Sequence, residues 1–259
     1  MASAQPDPLY DKHTVCCWSG PRCCSTSLMY SFAQRSDTQV LDEPLYASYL
    51  KLTGLPRPYR EQVLAAQEQD GNKVVQDLIL GPRSKQVLYA KLIAKQKMGL
   101  DQALWQRANH VILVREPYGV VQSFSKVLNA TLQELGYAAL AEIYSEMRTL
   151  GRPPIVVLSD DLVRNPEGVL RALCAALDLP WQPSMLTWAP GPKPYDGVWA
   201  PWWYSSSHKS TGFDPVYRDT KEPLPDRLKP LLAECWASYE LLRAAALKPE
   251  PLPPASLPR

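Results

Sequence analysis

The sequence predicts an α/β fold in which helices flank a doubly wound parallel sheet. Apolar, β-favouring runs alternate along the chain with stretches of helical spacing, an order typical of strand-helix-strand units. Two of these runs, at 14–18 and 110–114, lead directly into turns that carry an arginine and hydroxyl groups. Such turns lie at the carboxyl ends of parallel strands, where folds of this class bind anions. We therefore expect one ligand-binding edge with two phosphate sites.

Length and composition favour one domain of ordinary globular make-up. The 259 residues are 46% hydrophobic and 21% charged, and a chain of this length needs no second domain. We expect an N-terminal extension at 1–13, the α/β domain at 14–247 and a proline-rich tail at 248–259 that is disordered or extended. The net charge of +2 gives no broad basic patch, so composition argues against nucleic-acid binding.

The N-terminus and the six cysteines indicate a cytoplasmic protein without a membrane partner. No apolar run approaches the roughly 18 residues that a membrane span needs, and the first residues lack the apolar core of a signal peptide. Without an export signal, we expect the cysteines to stay reduced. The doublets at 16–17 and 23–24 do not predict a metal site, because neighbouring strand side chains point to opposite faces.

The first half of the chain predicts three strands. The run TVCCW at 14–18 is typical of a buried strand, and a helix is expected at 25–34. The second strand, at 38–41, is closed by Asp42, Glu43 and Pro44, because proline pushes its predecessor out of the helical region. Helices at 59–69 and 72–80 and a third strand at 86–92 follow.

The second half predicts two more strands and a long irregular segment. The nearly all-apolar run at 110–114 suits the middle of a sheet that is covered on both faces, and a fifth strand is expected at 153–159. Helices are expected at 117–127, 132–149, 166–177 and 225–247. The segment at 180–213 is rich in proline, glycine and tryptophan, which indicates a lid or an ordered wrap.

The turn SGPRCCSTS after the first strand predicts a phosphate site. Its amide N–H groups and the positive end of the next helix can face one anion. Arg22 adds a fixed charge, and hydroxyl donors follow at 25–27. The turn keeps Gly20 of the nucleotide-triphosphatase loop G-x-x-x-x-G-K-[ST] but lacks its Gly-Lys pair. An ordinary strand-to-helix turn is the alternative, because short motifs produce false positives.

The letters PRCCST in this turn resemble the 5′-phosphosulfate loop of sulfotransferases, which often reads PRSGST. Two cysteines stand where that loop usually has Ser-Gly, and the lost glycine is the residue that best permits close backbone approach. The resemblance implies that the loop binds the phosphosulfate end of 3′-phosphoadenosine-5′-phosphosulfate (PAPS). The residues assigned to this role are Gly20, Pro21, Arg22, Cys23, Cys24, Ser25, Thr26 and Ser27.

The segment VREPYGVVQSF resembles the 3′-phosphate motif of the same family, R-[DNE]-P-x-x-V-x-S. The resemblance implies that Arg115 and Ser123 bind the 3′-phosphate, and the planar fork of arginine suits phosphate oxygens. Taken alone, Arg115 would more often form a surface ion pair near Glu116.

Two longer segments support the same resemblance. VVLSDDLVRNPEGVLRALCAALDLPW is similar to a structural segment near the C-terminal end of the family's fold. The stretch at 18–50 resembles the sulfotransferase-like domain that precedes a branched-chain aminotransferase-like domain in some plant proteins.

Sulfuryl transfer needs a base for the acceptor's proton and positive donors on the developing charge. Arg22 and the loop amides can supply the donors. Glu43 is the preferred base, since it follows the second strand and a similar Glu-Pro setting occurs in carbohydrate-type sulfotransferases; capping a helix that starts at Pro44 is its alternative role. Lys91, at the end of the third strand, orients the acceptor or assists the leaving group, or else is a solvated lysine. His208 is the best histidine candidate, with a structural role as its alternative.

The irregular segment at 180–213 contains residues that could cover the nucleotide and residues that could line a pocket. Ser210, Thr211 and Gly212 could close over the nucleotide, as a C-terminal loop does in many sulfotransferases. Aromatic residues of the segment either line an acceptor pocket or pack the segment onto the core. These are Trp188, Tyr195, Trp199, Trp202, Trp203 and Tyr204.

Three functions are compatible with these motifs. The resemblance implies a transferase that moves a sulfuryl group from PAPS to a hydroxyl or amine of a small molecule or sugar, without a metal. A catalytically inactive nucleotide-binding or assembly protein with the same fold is the alternative. In either case the partners expected besides the ligands are a second copy in a homodimer or the other subunits of a larger assembly. A P-loop small-molecule kinase fits worst, because the loop lacks the expected lysine.

Overall fold

The computed structural model describes residues 13–213 and 223–249, and five parallel strands form one sheet within them. The strands are β1 (Thr14–Ser19), β2 (Thr38–Asp42), β3 (Val87–Ile93), β4 (Asn109–Val114) and β5 (Ile155–Leu158). Their order across the sheet is β2-β3-β1-β4-β5. The predicted α/β fold is confirmed.

Twelve α-helices accompany the sheet in the described ranges. They are α1 (Ser25–Ala33), α2 (Tyr46–Thr53), α3 (Arg60–Ala66), α4 (Gly71–Lys73), α5 (Gln102–Arg107), α6 (Pro117–Ser125), α7 (Leu132–Leu135), α8 (Tyr137–Thr149), α9 (Ser159–Arg164), α10 (Pro166–Ala176), α11 (Ala200–Trp203) and α12 (Lys229–Ala244). Helix α4 continues as a π-helix, Val74–Ile79. Short 3₁₀ turns occupy Ala94–Gln96, Pro183–Leu186, Ser207–Lys209 and Asp226–Leu228.

The central strand β1 is covered on both faces. All six of its residues are buried, and it pairs in parallel with β3 on one side and β4 on the other. Burial on both faces is what makes such a strand apolar throughout. This agrees with the prediction made from TVCCW and HVILV.

Several predicted boundaries differ from the structure. A helix after Pro44 was considered only as part of the alternative role of Glu43. The chain turns at Glu43, whose φ is 43°, and helix α2 begins three residues later. Lys91 lies within β3 rather than at its end, opposite Asp42 of β2. The helix predicted at 132–149 is divided by Gly136, whose φ of 77° ends α7 before α8 begins.

Three helices were not predicted, namely α5, α9 and the short α11, and the last helix begins at Lys229 instead of near Pro225. Most of the predicted extension at 1–13 and most of the tail at 248–259 lie outside the described residues. No helix in the described ranges combines the length and apolarity that crossing a membrane requires.

The strand order creates a crevice between β1 and β4. The chain leaves β1 toward β2 on one side and, after β3, crosses to β4 on the other side. The carboxyl ends of β1 and β4 therefore meet where the direction of winding reverses. Ligands of open α/β sheets bind at such a switch point.

Candidate active site

The turn after β1 presents the amino end of α1 to this crevice. Arg22 and Cys24 both adopt left-handed backbone angles, and Cys24 precedes α1 without a side-chain capping bond. The amide of Leu28 donates to the Cys24 carbonyl at 3.1 Å and so begins the helical ladder. The amides before it are those that a helix leaves without partners at its start. The positive end of α1 is therefore uncapped and suits an anion.

Cys24 stands at a position that glycine would fill without strain. Its φ is 58° and its ψ is 21°, a conformation that costs a residue with a Cβ about 1–2 kcal/mol. In the PRSGST form of the loop, the usual glycine falls at this residue. The departure seen in the sequence thus coincides with backbone strain at the anion site.

One hydrogen bond and one close approach hold the loop at 20–27 against the rest of the fold. The buried Ser159 hydroxyl donates to the Cys23 carbonyl at 2.7 Å. A Cβ added to Gly20 would lie 2.5 Å from the Leu135 carbonyl oxygen, so glycine is needed there to seat α7. Ser159 belongs to the segment VVLSDD, which sequence reasoning treated as purely structural.

The second motif lies directly against the first. The Arg22 Nε donates to the Ser123 Oγ at 3.0 Å, and the Arg115 Nη1 donates to the Arg22 carbonyl at 3.1 Å. The fold therefore brings the two predicted phosphate-binding arginines and Ser123 together across the β1/β4 crevice, although 93 residues separate the arginines along the chain.

Gly119 allows Arg115 to lie over the first turn of α6. A Cβ at this glycine would approach the Arg115 Nη2 to 2.6 Å. Glu116 accepts from the Gly119 amide at 3.3 Å and so caps this helix. Sequence reasoning named Arg115 but missed Gly119, because the steric requirement appears only once the guanidinium is placed.

A single cavity of about 710 Å³ collects most of the predicted site residues. Its volume falls in the range of small-molecule and cofactor sites. The predicted residues in its wall are Pro21, Arg22, Cys23, Cys24, Ser25, Thr26, Ser27, Glu43, Lys91, Arg115 and Ser123. In the described part of the chain, no group of His, Cys, Asp and Glu side chains is placed to hold a metal ion.

A buried ion cluster, formed by Asp42, Glu43, Lys91 and Tyr204, lies at the β2/β3 side of this cavity. The Lys91 Nζ donates to Asp42 at 2.9 Å, to Glu43 at 2.7 Å and to the Tyr204 hydroxyl at 2.6 Å. The Tyr204 hydroxyl in turn donates to the Asp42 carboxylate at 2.8 Å. The Lys91 side chain is only 2% exposed, so the interpretation of Lys91 as a solvated lysine is wrong.

The protonation state of Lys91 follows from this cluster. Burial by itself would lower the pKa of Lys91. The carboxylates of Asp42 and Glu43 outweigh burial and raise that pKa well above its ordinary value. Lys91 therefore stays an ammonium ion and neutralises charge at the end of β2.

The Glu43 carboxylate is held by two donors at the cavity wall. Lys91 binds its Oε1, and the Gln96 Nε2 donates to its Oε2 at 3.2 Å. The capping alternative is wrong, because α2 begins at Tyr46 and has no side-chain capping bond. The assignment of Glu43 as the base stays a prediction.

His208 lies behind the cavity wall. Its Nε2 hydrogen-bonds the Asp196 Oδ2 at 2.9 Å, and the Tyr30 hydroxyl donates to the other Asp196 oxygen at 2.8 Å. Unlike its neighbours Ser207 and Lys209, His208 is not part of the lining. These contacts favour the structural role.

The residues of the predicted cover belong to the cavity wall, and their closing over a nucleotide stays a prediction. Ser210, Thr211 and Gly212 line the cavity. The amide of Trp188 donates to the Thr211 carbonyl at 3.0 Å, and the Trp188 indole donates to the Ser210 hydroxyl at 3.1 Å. The chain then enters 214–222, outside the described residues.

The aromatic residues divide between the two roles considered for them. Trp199, Trp203 and Tyr204 line the cavity. Trp188 is 4% exposed and packs edge-on against neighbouring rings. Trp202 is 55% exposed and does neither.

The chain is similar to known proteins in both sequence and fold. Residues 13–246 match a family described as "Sulfotransferase domain". The chain is 49% identical over 247 residues to "Branched-chain-amino-acid aminotransferase-like protein 1" of Arabidopsis thaliana and 46% identical to protein 2 of that name. Each alignment covers 93% of this chain but only 44% of the relative, so the chain spans less than half the length of these relatives.

Two solved structures have the same fold. One is the sulfotransferase domain of a Synechococcus olefin synthase, with a TM-score of 0.54, 19% identity, and coverage of 87% of this chain and 94% of that one. The other is a sulfotransferase from Alicyclobacillus acidocaldarius, with a TM-score of 0.53, 14% identity, and coverage of 93% and 96%.

Proposed function

Because this chain belongs to the sulfotransferase domain family, we propose that it transfers a sulfuryl group from PAPS to a hydroxyl or amine of a small molecule or sugar. One observation carries the proposal: the loop at 21–27, Arg115 and Ser123 line one cavity at the switch point of the sheet. Glu43 lies in the wall of the same cavity.

The residues present fit such a donor. The uncapped start of α1 and the amides around Cys24 suit the phosphosulfate end. Arg115 and Ser123, which adjoin the loop through Arg22, suit the 3′-phosphate. When bound, the donor supplies a sulfuryl group whose leaving group is a phosphate oxygen.

The chain's own groups perform two tasks in this mechanism. Glu43 takes the proton of the acceptor hydroxyl or amine as the acceptor atom bonds to sulfur. Arg22 and the loop amides stabilise the negative charge that develops on the phosphate oxygen. Lys91 contacts Glu43 and Asp42, so we assign it to orienting the base and not the acceptor.

A nucleotide-binding protein without turnover is the second candidate. The observation in its favour is the strained Cys24, which replaces the glycine of the usual loop. The relatives from Arabidopsis are named as aminotransferase-like and are more than twice as long as the matched region. A binding domain that serves a longer protein would agree with both observations.

Calorimetry with 3′-phosphoadenosine-5′-phosphate (PAP) and with ATP, each with and without magnesium, tests the proposal. We expect metal-independent binding of PAP. Gly119→Ala should weaken it about tenfold, because the added methyl displaces the Arg115 guanidinium. Ser125→Ala in the same helix is the matched control, since the Ser125 hydroxyl donates to the Gln122 carbonyl and lies outside the cavity wall.

The possible outcomes separate the candidates. Binding of magnesium ATP alone would indicate a kinase and overturn the proposal. PAP binding without turnover across an acceptor library would favour the second candidate. If the Glu43→Gln protein binds PAP normally and transfers the sulfuryl group as fast as the wild type, Glu43 is not the base.

A further inference from the structure

This inference rests on the proposed function and concerns the acceptor. A group of three charged residues, named here the Arg57 cluster, lines the cavity beside Glu43: Arg57, Lys95 and Glu134. The Lys95 Nζ contacts the Glu134 Oε2 at 2.5 Å, and the Arg57 Nη2 contacts the other Glu134 oxygen. These side chains are only 13–14% exposed.

The Arg57 cluster carries one positive charge in excess. Glu134 is the single carboxylate that its two cations contact in the described part of the chain. The further contacts of the cations are to neutral groups: Arg57 donates to the Pro56 carbonyl at 3.0 Å, and Lys95 lies 5.6 Å from the centre of the Tyr49 ring. A cation withdrawn from water without a matching anion is costly.

The neighbouring group of Asp42, Glu43 and Lys91 carries one net negative charge. Neither of its carboxylates contacts Arg57 or Lys95 in the described part of the chain, so these two cations can still bind one further anionic group.

The Arg57 cluster lies on the side of the cavity where the proposed base is, and we therefore assign it to the acceptor and not to the donor. Lys95 follows β3, and its neighbour Gln96 donates to the Glu43 carboxylate at 3.2 Å. The donor-binding residues follow β1 and β4 instead. The excess charge thus lies on the β3 side of the proposed base.

Aromatic rings complete this side of the cavity. Tyr46 packs edge-on against Trp199, with ring centroids 5.1 Å apart, and Trp203 lies beside them in the wall. Such rings suit a flat or apolar ligand body. The planar fork of Arg57 matches a carboxylate in geometry.

We propose that the acceptor carries a carboxylate, bound by Arg57 and Lys95, on an apolar or ring-shaped body that presents the hydroxyl or amine to Glu43. One excess positive charge matches one monoanion, while Glu134 would repel a group of higher negative charge. Glu134 contacts both cations at the cavity wall.

Three phenols that differ in one end group provide the test: 4-hydroxyphenylacetate, 2-(4-hydroxyphenyl)ethanol and tyramine. Their binding is measured by calorimetry on the protein saturated with PAP. We expect the carboxylate to bind about tenfold more tightly than the alcohol, because a charge-assisted hydrogen bond is gained. The amine should bind most weakly of the three.

Variants assign the preference to the Arg57 cluster. Arg57→Gln should abolish the advantage of the carboxylate over the alcohol without changing the affinity for PAP. Glu134→Gln should increase that advantage. Arg60→Gln is the matched control, because Arg60 pairs with the exposed Glu61 and does not line the cavity.

The results distinguish this inference from the proposed function. Equal affinities, tightest binding of tyramine, or no binding of the carboxylate at millimolar concentration would overturn the inference while PAP still binds. An unchanged preference in a folded Arg57→Gln protein would also overturn it. Failure to bind PAP would instead overturn the proposed function.

Discussion

Two sets of charged groups in one cavity differ in how their polar atoms are paired. On the β1/β4 side, Arg22 donates to a hydroxyl and Arg115 to a backbone carbonyl, beside a helix start with no cap. On the β2/β3 side, Lys91 binds two carboxylates and a phenol hydroxyl out of contact with water. The uncapped helix start on the first side suits a bound anion, whereas the polar partners of Lys91 on the second side all belong to the protein. The difference separates the proposed donor-binding residues from Lys91, Asp42 and Tyr204, which hold the proposed base Glu43 in place.

The largest effect should come from breaking the buried ion cluster. Lys91→Met leaves Asp42 and Glu43 without their ammonium partner, and removing one side of a buried pair costs about 3–5 kcal/mol. We expect the free energy of unfolding, measured in urea, to fall by that amount. Arg22→Met, on the other side, should change it by no more than about 0.5 kcal/mol, since Arg22 is exposed, while weakening PAP binding. Equal losses of stability in the two variants would contradict the distinction.

A second effect concerns the amino end of β4, away from the cavity. Burial, together with Arg152, lowers the pKa of His110 to about 4. The Trp18 indole donates to its Nδ1 at 3.0 Å, and its Nε2 lies 3.1 Å from the Leu104 carbonyl. These contacts fit a neutral ring.

Acid should therefore destabilise the protein through His110. Between pH 6.5 and about 4, the unfolded chain takes up a proton at this ring that the native protein does not, so stability falls as the pH falls through this window. The pKa difference corresponds to about 3 kcal/mol. Urea unfolding at several pH values should show a shallower acid loss in His110→Gln than in the wild type. If the free energy of unfolding falls with pH equally steeply in the variant and in the wild type, the acid-sensitive group is not His110.

The smallest effect should come from relieving strain on the binding side. Cys24→Gly permits the left-handed backbone without a Cβ and should raise the free energy of unfolding by up to about 1 kcal/mol. Cys24→Ala is the matched control, because alanine keeps the Cβ while removing the thiol. If the alanine variant is as stable as the glycine variant, the loop is not strained at this residue. PAP binding should persist in both.

Features with a local cause could be predicted from the sequence. The apolar runs, the turn PRCCST and the spacing of Arg115 and Ser123 depend on neighbouring residues, and they predicted the strands, the loop and the resemblance to sulfotransferases. Their convergence on one edge followed from parallel topology.

The features that were missed depend on contacts between distant segments. Lys91 is buried because Tyr204 and Asp42, from a distant segment and a neighbouring strand, supply its partners. The Ser159 contact to the loop spans 136 residues. Gly119 could be recognised only from the placement of Arg115. Helix α2 was foreseen only in the alternative role of Glu43, with its start at Pro44, whereas a left-handed turn at Glu43 redirects the chain and the helix begins at Tyr46.

Tyr204 links the wall of the cavity, which contacts the substrate in the proposed function, to the buried ion cluster beneath the proposed base. It belongs to the C-terminal segment that walls the cavity, yet its hydroxyl is bonded to both Lys91 and Asp42 beneath Glu43. Grafting this segment from a relative to change substrate preference would therefore also disturb the side chains under the proposed base. A chimaera should keep Tyr204 and vary Trp203, which lines the same cavity, so that substrate preference can be changed while the contacts of Lys91 and Asp42 are retained.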